Sequence, residues 1–484
     1  MKNEENKVYK NRWIMLYILL VATFMSTLDS SIVNVALPDM AQKLNVSMAA
    51  IEWVVTSFLI TIAAFILIFG RLGDIKGKIK IFKFGVVLFT LGSFLCGFTN
   101  SLLVLVLARV LQAIGAAATM ATNQGIVTQV FPAKERGRAL GVIGTFVALG
   151  AMAGPPLGGF IVSIASWKYI FLVNVPIGII VSILMVKIFP KIDSVNDEKL
   201  DGKGALLFTV SIVLLFGAIV QGQNTGYNNI YMIAAFVISI IAFIAFIYVE
   251  KRTEMPLLQL KIFNNSLFSI SIVCALTSFI AISASNIILP FYFEDALKMP
   301  PAQAGLFMMI SPVTLAIVAP ISGYLSDKIG SELLTLIGLI LTTIGLSLIS
   351  TLTEKSIFAV LALFLVIMTL GNGIFQSPNN SLVMSTVSRD KLGIAGSVNS
   401  LIRNLGMVIG TSFATLILYD RMSSKMGYRV VNYVNGRPDV FIYGMSFVYI
   451  LAAVICGIGA VITAIRLFGS KKKQVSKSLE NNIS

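Results

Sequence analysis

Fourteen apolar stretches run along the chain, near 13–36, 49–69, 82–99, 102–125, 138–162, 167–188, 204–221, 230–250, 266–290, 303–324, 333–351, 356–376, 393–418 and 441–465. Each approaches the roughly 20 apolar residues that a membrane helix needs. Short polar turns containing Gly, Pro or Asn separate them, so the pattern predicts an all-α membrane protein with 14 transmembrane helices. The turn after the second stretch holds Gly70, Leu72, Asp74 and Gly77, and the same residues return 253 positions later as Gly323, Leu325, Asp327 and Gly330. An internal repeat of this size in a hydrophobic chain predicts two related six-helix bundles, the usual build of a secondary transporter. Residues 1–188 form the first bundle, 189–264 a linker with two additional helices, 265–470 the second bundle and 471–484 a cytoplasmic basic tail.

Composition strengthens this picture. The chain is 57% hydrophobic and 12% charged, about half the charged share of a soluble protein. The first stretch follows Lys2, Lys7, Lys10 and Arg12, but its apolar run is too long for a signal peptide and lacks a small-x-small cleavage site. With the N-terminal side inside, the cytoplasmic loops and tails hold 27 of the 37 Lys and Arg and the outer loops 8. That asymmetry predicts a multi-pass protein with both termini cytoplasmic. The net charge of +15 then expresses topology and contact with the phospholipid bilayer, nucleic-acid binding being a poor second reading, so no nucleic-acid partner is expected.

Cys96, Cys274 and Cys456 all fall inside predicted spans, so no disulfide framework or metal-ligand spacing arises and no cofactor is expected. There is no histidine, which leaves proton handling to carboxylates. Asp29 lies seven residues inside the expected outer end of the first span, at Ala36, about 10 Å deep at 1.5 Å per residue. A carboxylate at that depth costs several kcal/mol unless it is paired or protonated. Arg109 lies at the same depth in the fourth span. If the two spans are neighbours, protonating Asp29 would free Arg109, which makes a switch, although a purely structural pair fits as well. Arg403, flanked by Asn399 and Asn404, is a second intramembrane cation, equally a ligand group or a helix clamp.

In the fifth span Gly150, Gly154, Pro155, Pro156, Gly158 and Gly159 predict a kinked helix packed tightly against a neighbour. In the two turns, Asp74 and Asp327 stand at helix ends, the first among Arg71, Lys76, Lys78 and Lys80. These charges form either a latch on the cytoplasmic side or solvated helix-end anchors.

Together these segments resemble the major facilitator superfamily, in particular its fourteen-span drug:proton antiporter branch, over nearly the whole chain. Gly70 to Lys80 is similar to the family's signature between spans two and three, and Arg109, Gln112 and Gly115 to that of span four. Gly150 to Gly159 resembles the antiporter signature, while Asp29 to Pro38, Trp167 to Gly178 and Arg403 to Gly406 resemble motifs of the fourteen-span branch. The chain departs from these patterns at Ala113, where glycine is usual, and at Glu52 and Glu294, where glutamine is common.

The resemblance implies a proton-coupled antiporter that exports amphipathic, cationic drugs by alternating access, a monomer in a bacterial plasma membrane and not an enzyme. It implies proton coupling at Asp29 and Arg109 and a hinge at Gly150, Gly154, Pro155, Gly158 and Gly159. The cytoplasmic gate would comprise Gly70, Arg71, Gly73, Asp74, Gly77 and Lys78 with Gly323, Asp327 and Gly330. The substrate cavity would draw on Asp29, Glu52, Trp53, Arg109, Gln112, Tyr292, Glu294, Asn399 and Arg403. A dedicated exporter or flippase for a lipid, one antibiotic class or a metabolite is the alternative. A membrane sensor or intramembrane enzyme is remote, because no nucleophile-base or metal set lies in the spans.

Overall fold

A computed structural model describes residues 2–189, 200–226, 228–254, 256–387 and 392–481 of the protein. The first bundle comprises α1 (Lys2–Leu44), α2 (Met48–Ile51 and Trp53–Lys76), α3 (Lys78–Phe98), α4 (Leu102–Val130), α5 (Ala133–Ile164) and α6 (Tyr169–Leu172 and Asn174–Ile188). The pair α7 (Gly202–Thr225) and α8 (Ile230–Glu250) follows. The second bundle comprises α9 (Ser266–Phe291, with a π turn at Tyr292–Ala296), α10 (Pro301–Met308 and Ile310–Ile329), α11 (Ser331–Ile349), α12 (Phe358–Ser385), α13 (Leu392–Met426) and α14 (Pro438–Asn481). Thirteen of these are long and apolar enough to cross a bilayer. The fourteenth, α5, begins with a charged turn, and its described residues are apolar over Leu149–Ile164. Leu103, Ile183, Val186, Ile241 and Ile244 are among many large apolar side chains left exposed, a surface that only lipid satisfies.

The repeat seen in the turns extends through the packing. In the first half α1 packs on α5, α2 on α4, and α3 on α4 and α6; in the second, α9 packs on α13, α10 on α12, and α11 on α12 and α14. Gly85 of α3 lies against Gly115 of α4, where an added Cβ would stand 2.7 Å from the Gly115 carbonyl. Gly338 of α11 lies against Gly371 of α12 with the same 2.7 Å clearance. Backbones approach this closely only where side chains are missing. Gly77 and Gly330 each close their turn at positive φ, 96° and 91°, so both copies of the motif end on a residue that L side chains rarely replace.

The two halves meet along two seams, α2 against α13 and α5 against α10. The extra pair covers the first of these: α7 packs on α2 and α13, and α8 packs outside α7. An even number of crossings puts the start of α1 and the end of α14 on one face, here the terminal face. On the opposite, far face one continuous apolar cluster joins the halves, including Ile32, Ala36 and Val54 from the first and Ile288, Tyr292 and Leu418 from the second. The far face is therefore closed.

Several boundaries differ from the sequence reading. The helix α1 runs on to Leu44 through Pro38 instead of ending near Ala36, because its last turns are buried against the second half. Residues 419–426 of the expected outer loop are helical, and the rest folds back: Asn432 Oδ1 accepts from the Met48 amide at 3.1 Å, tying the loop to the start of α2. The basic segment after residue 470 continues α14 to Asn481. Residues 190–199 of the linker, 482–484 and the side chain of Asp327 lie outside the described residues.

Candidate functional site

The intramembrane acid and cation expected to meet do so. Arg109 donates from Nη1 to Asp29 Oδ2 at 2.6 Å and to Gln112 Oε1 at 2.6 Å. Asp29 Oδ1 accepts from Gln112 Nε2 at 2.9 Å and from Asn174 Nδ2 at 2.9 Å. Gln112 Nε2 also donates to Ser93 Oγ at 2.7 Å, and Arg109 Nε to the Val54 carbonyl at 3.0 Å. Helices α1, α2, α3, α4 and α6 thus converge on one network. The Arg109 guanidinium also lies over the Phe58 ring, 3.9 Å from its centroid. Asp29, Gln112 and Asn174 are fully buried and Arg109 is 1% exposed. Such a pair holds only while every member is bonded, since removing one charge leaves the other uncompensated in a dry site. Asn174 and Ser93 were not anticipated from sequence, although both are polar positions inside strongly apolar windows.

A central cavity of about 340 Å³ lies beside this network, between the halves. Its wall combines apolar groups such as Phe58, Met120, Met368 and Met407 with Ser30, Asn34, Asn123, Asn286, Asn372 and Asn404. Among the described residues that line it, the charged ones are Arg109 and Arg403. Arg109 is neutralised by Asp29; Arg403 has no carboxylate partner among the described residues. Among its described residues the cavity therefore presents one uncompensated positive charge in a largely apolar wall dotted with amides and hydroxyls.

The other expected cavity residues lie elsewhere. Asp29 and Gln112 stand behind the wall, within the network. Trp53 points toward α7, its ring 4.0 Å from where a Cβ on Gly217 would stand. Tyr292 is fully buried and donates to the Thr353 carbonyl at 2.8 Å. Asn399 donates to Asn380 Oδ1 at 3.0 Å. Glu52 and Glu294 lie at the closed far face, Glu52 1% exposed and Glu294 half-buried.

The small residues of α5 face two partners. A Cβ at Gly150, Gly154 or Gly158 would collide with Thr27, Ser31 or Ile32 of α1, and Ser31 Oγ donates to the Gly150 carbonyl at 3.2 Å. On its other side the helix meets α10: a Cβ at Gly159 would stand 2.5 Å from the Pro301 carbonyl, and Gly305 lies against Pro155. The element predicted to kink therefore links the Asp29 helix to the opposite half. At the terminal face Lys78 Nζ binds Asp74 Oδ1 at 2.5 Å within the first turn motif. Gly70, Arg71 and Gly73, expected in a turn, lie in the last helical turns of α2, so that only Gly77 separates it from α3; Gly73 packs on Thr122, and Gly323 packs on Ser377 of its own half.

Two six-helix halves, an inserted pair and a cavity between the halves beside a buried ion pair define a secondary transporter. The chain belongs to the Major Facilitator Superfamily, whose sequence model matches residues 19–411 and 271–482. It is 35% identical over 456 residues to the riboflavin transporter RibZ of Clostridioides difficile, covering 94% of this chain and 97% of that protein. It is 31% identical over 404 residues to the multidrug resistance protein Stp of Mycobacterium tuberculosis, covering 83% and 75%. Among solved structures, a POT-family transporter in complex with 5-aminolevulinic acid superimposes with a TM-score of 0.68 at 16% identity, covering 94% of this chain and 96% of that one. A bacterial homologue of the lysosomal transporter Spinster gives 0.66 at 16% identity, with 93% and 96% covered. The protein is thus a multi-pass membrane transporter of small substrates.

Proposed function

We propose that the protein is a proton-coupled antiporter that exports uncharged, amphipathic aromatic compounds from a bacterial cytoplasm, working as a monomer. The charge asymmetry of the loops supports placing the terminal face in the cytoplasm, with the closed far face toward the outside. The observation that carries the substrate class is the cavity wall: apolar and sulfur-bearing groups for a ring system, amides and hydroxyls for its edges, and Arg403 as a donor to carbonyl or ring-nitrogen acceptors. The cationic drug implied by family resemblance meets no carboxylate there, since Asp29 is sealed behind Arg109.

The coupling follows from the same pair. While Asp29 is ionised it neutralises Arg109; once it is protonated, Arg109 becomes a second uncompensated cation on the wall. Its hydration then competes with an apolar ligand, so proton and substrate oppose each other, as exchange requires. An anion would instead be held more tightly after protonation, which is the sign for cotransport and not for export. One proton moving down 100 mV releases about 2.3 kcal/mol, enough for roughly fifty-fold accumulation at about 1.4 kcal/mol per tenfold.

A second reading, a transporter dedicated to one flavin-like metabolite, is supported by the 35% identity to a riboflavin transporter. Riboflavin itself is uncharged, aromatic and rich in acceptors, so the same cavity chemistry serves both. Purified protein in proteoliposomes bearing a proton gradient separates them. Movement of several unrelated neutral aromatics against their gradients supports the first reading; movement of riboflavin alone supports the second; export of a permanent cation such as tetraphenylphosphonium in preference to all of these refutes the assigned substrate class.

A further inference from the structure

The far face holds a titratable group that the coupling pair does not use. Glu52 of α2 is 1% exposed. Its carboxyl faces Ser412 and Thr415 of α13, which belongs to the opposite half. Neither oxygen makes a hydrogen bond of ordinary length, and the surrounding side chains, among them Ile51, Val54, Ala414 and Leu418, are apolar. Among the described residues no cation pairs with it. Tyr419 of α13 faces it and brings no positive charge, with Asp295 behind that tyrosine and Lys298 near Asp295. On α1, Asp39 is paired with Lys43 at 3.0 Å; on α4, Arg109 is engaged by Asp29; and the charge of α7, Lys203, sits at the opposite end of that helix. An ionised carboxylate without a partner is far too costly to bury in such a site, whereas a carboxylic acid needs only the two hydroxyls.

We propose that Glu52 is a second proton-binding site, loaded from the outer solution when α2 and α13 part and occupied while they are packed. Closing the far face then takes up one proton, and opening it gives Glu52 a solvated environment in which to release that proton outside. The exchange of one proton with the outer solution at this site is a step of the conformational cycle and stands apart from the role assigned to Asp29. It rests on the position of Glu52 between the halves, so it holds whichever substrate the cavity takes.

Glu52→Gln is the informative variant, because glutamine is the residue common at this position in the family and keeps the volume and polarity. Spin labels at Gln42→Cys and Ser424→Cys, exposed on the far face of the first and second halves, report the opening of that face in nanodiscs; the native cysteines are buried. Distances are recorded from pH 5 to pH 9 in an Asp29→Asn background, which removes the other proton site. With Glu52 present, the ratio of open to closed far face rises with pH by up to tenfold per unit, the limit for one linked proton. In Asp29→Asn/Glu52→Gln the closed distance persists at all pH values. The same pH response with and without Glu52, or no response in either, overturns the proposal; loss of the closed distance in the double variant at low pH overturns it too.

Discussion

Asp29 and Arg109 are bound to each other at 2.6 Å in a site where neither meets bulk water, and the polar atoms around them come from Gln112 of α4 itself and from α2, α3 and α6. This pair is therefore a junction: α1, α2, α3, α4 and α6 can separate only if its charges are compensated in some other way. A proton on Asp29 is the smallest such change, which gives the first expectation. Asp29→Asn imitates the protonated acid, so accumulation against a gradient is lost by more than tenfold in proteoliposomes, while counterflow down the substrate's own gradient persists. Full proton-driven accumulation by Asp29→Asn would remove the coupling role.

Topology is tested from exposed positions on opposite faces. Lys261 lies in the short helical turn between α8 and α9 on the terminal face, and Asn435 in the loop between α13 and α14 on the far face. Since Cys96, Cys274 and Cys456 are buried, single cysteines introduced at 261 and 435 dominate labelling. A membrane-impermeant maleimide applied to intact cells modifies Asn435→Cys, and Lys261→Cys only after lysis. Labelling of both from outside contradicts the fourteen-span arrangement.

Much of this architecture was legible in the chain. The offset of 253 residues between the turn motifs also relates Gly85 to Gly338 and Gly92 to Gly345, and these glycines make equivalent close crossings in the two halves. Their repetition was open to inspection, because spacing survives wherever packing forbids a side chain. The positions of Glu52 and Glu294 were not legible. A residue five positions after a short turn reads as rim, and in the fold Glu52 is buried where α2 meets α13 of the other half. Asn174 shows the same limit: its polarity was visible, but its partner, Asp29, lies 145 residues away.

The α1–α5 contact leads to a packing prediction. A methyl at Gly154 meets the Ser31 hydroxyl, whereas Gly217 of α7 has nothing closer than 4.0 Å. Overpacking of this kind costs about 1–3 kcal/mol, paid in separation of the two helices. Gly154→Ala should thus lower transport at least tenfold with protein still present in the membrane, and Gly217→Ala should leave it within twofold. Equal behaviour of the two variants in a transport assay normalised to purified protein would show that close α1–α5 packing is not needed for turnover.

Arg403 decides the substrate class. It lines the cavity without a carboxylate partner among the described residues, and a hydrogen bond from a charged donor contributes about 1.5–3 kcal/mol, or roughly ten- to a hundred-fold in affinity. Arg403→Met keeps the unbranched apolar stem and removes the charge and its donors, so binding of an acceptor-rich neutral aromatic weakens by that factor. Arg403→Lys retains the charge but not the planar fork and falls between the two. The opposite sign applies to a permanent cation, which the wild-type arginine repels: Arg403→Met binds it more tightly, and Arg403→Glu more tightly still. Fluorescence titration of the purified protein with a neutral and a cationic probe measures both arms. If Arg403→Met leaves the neutral probe unchanged and does not improve the cation, the guanidinium is a helix clamp, and selectivity must come from the amides and hydroxyls of the wall.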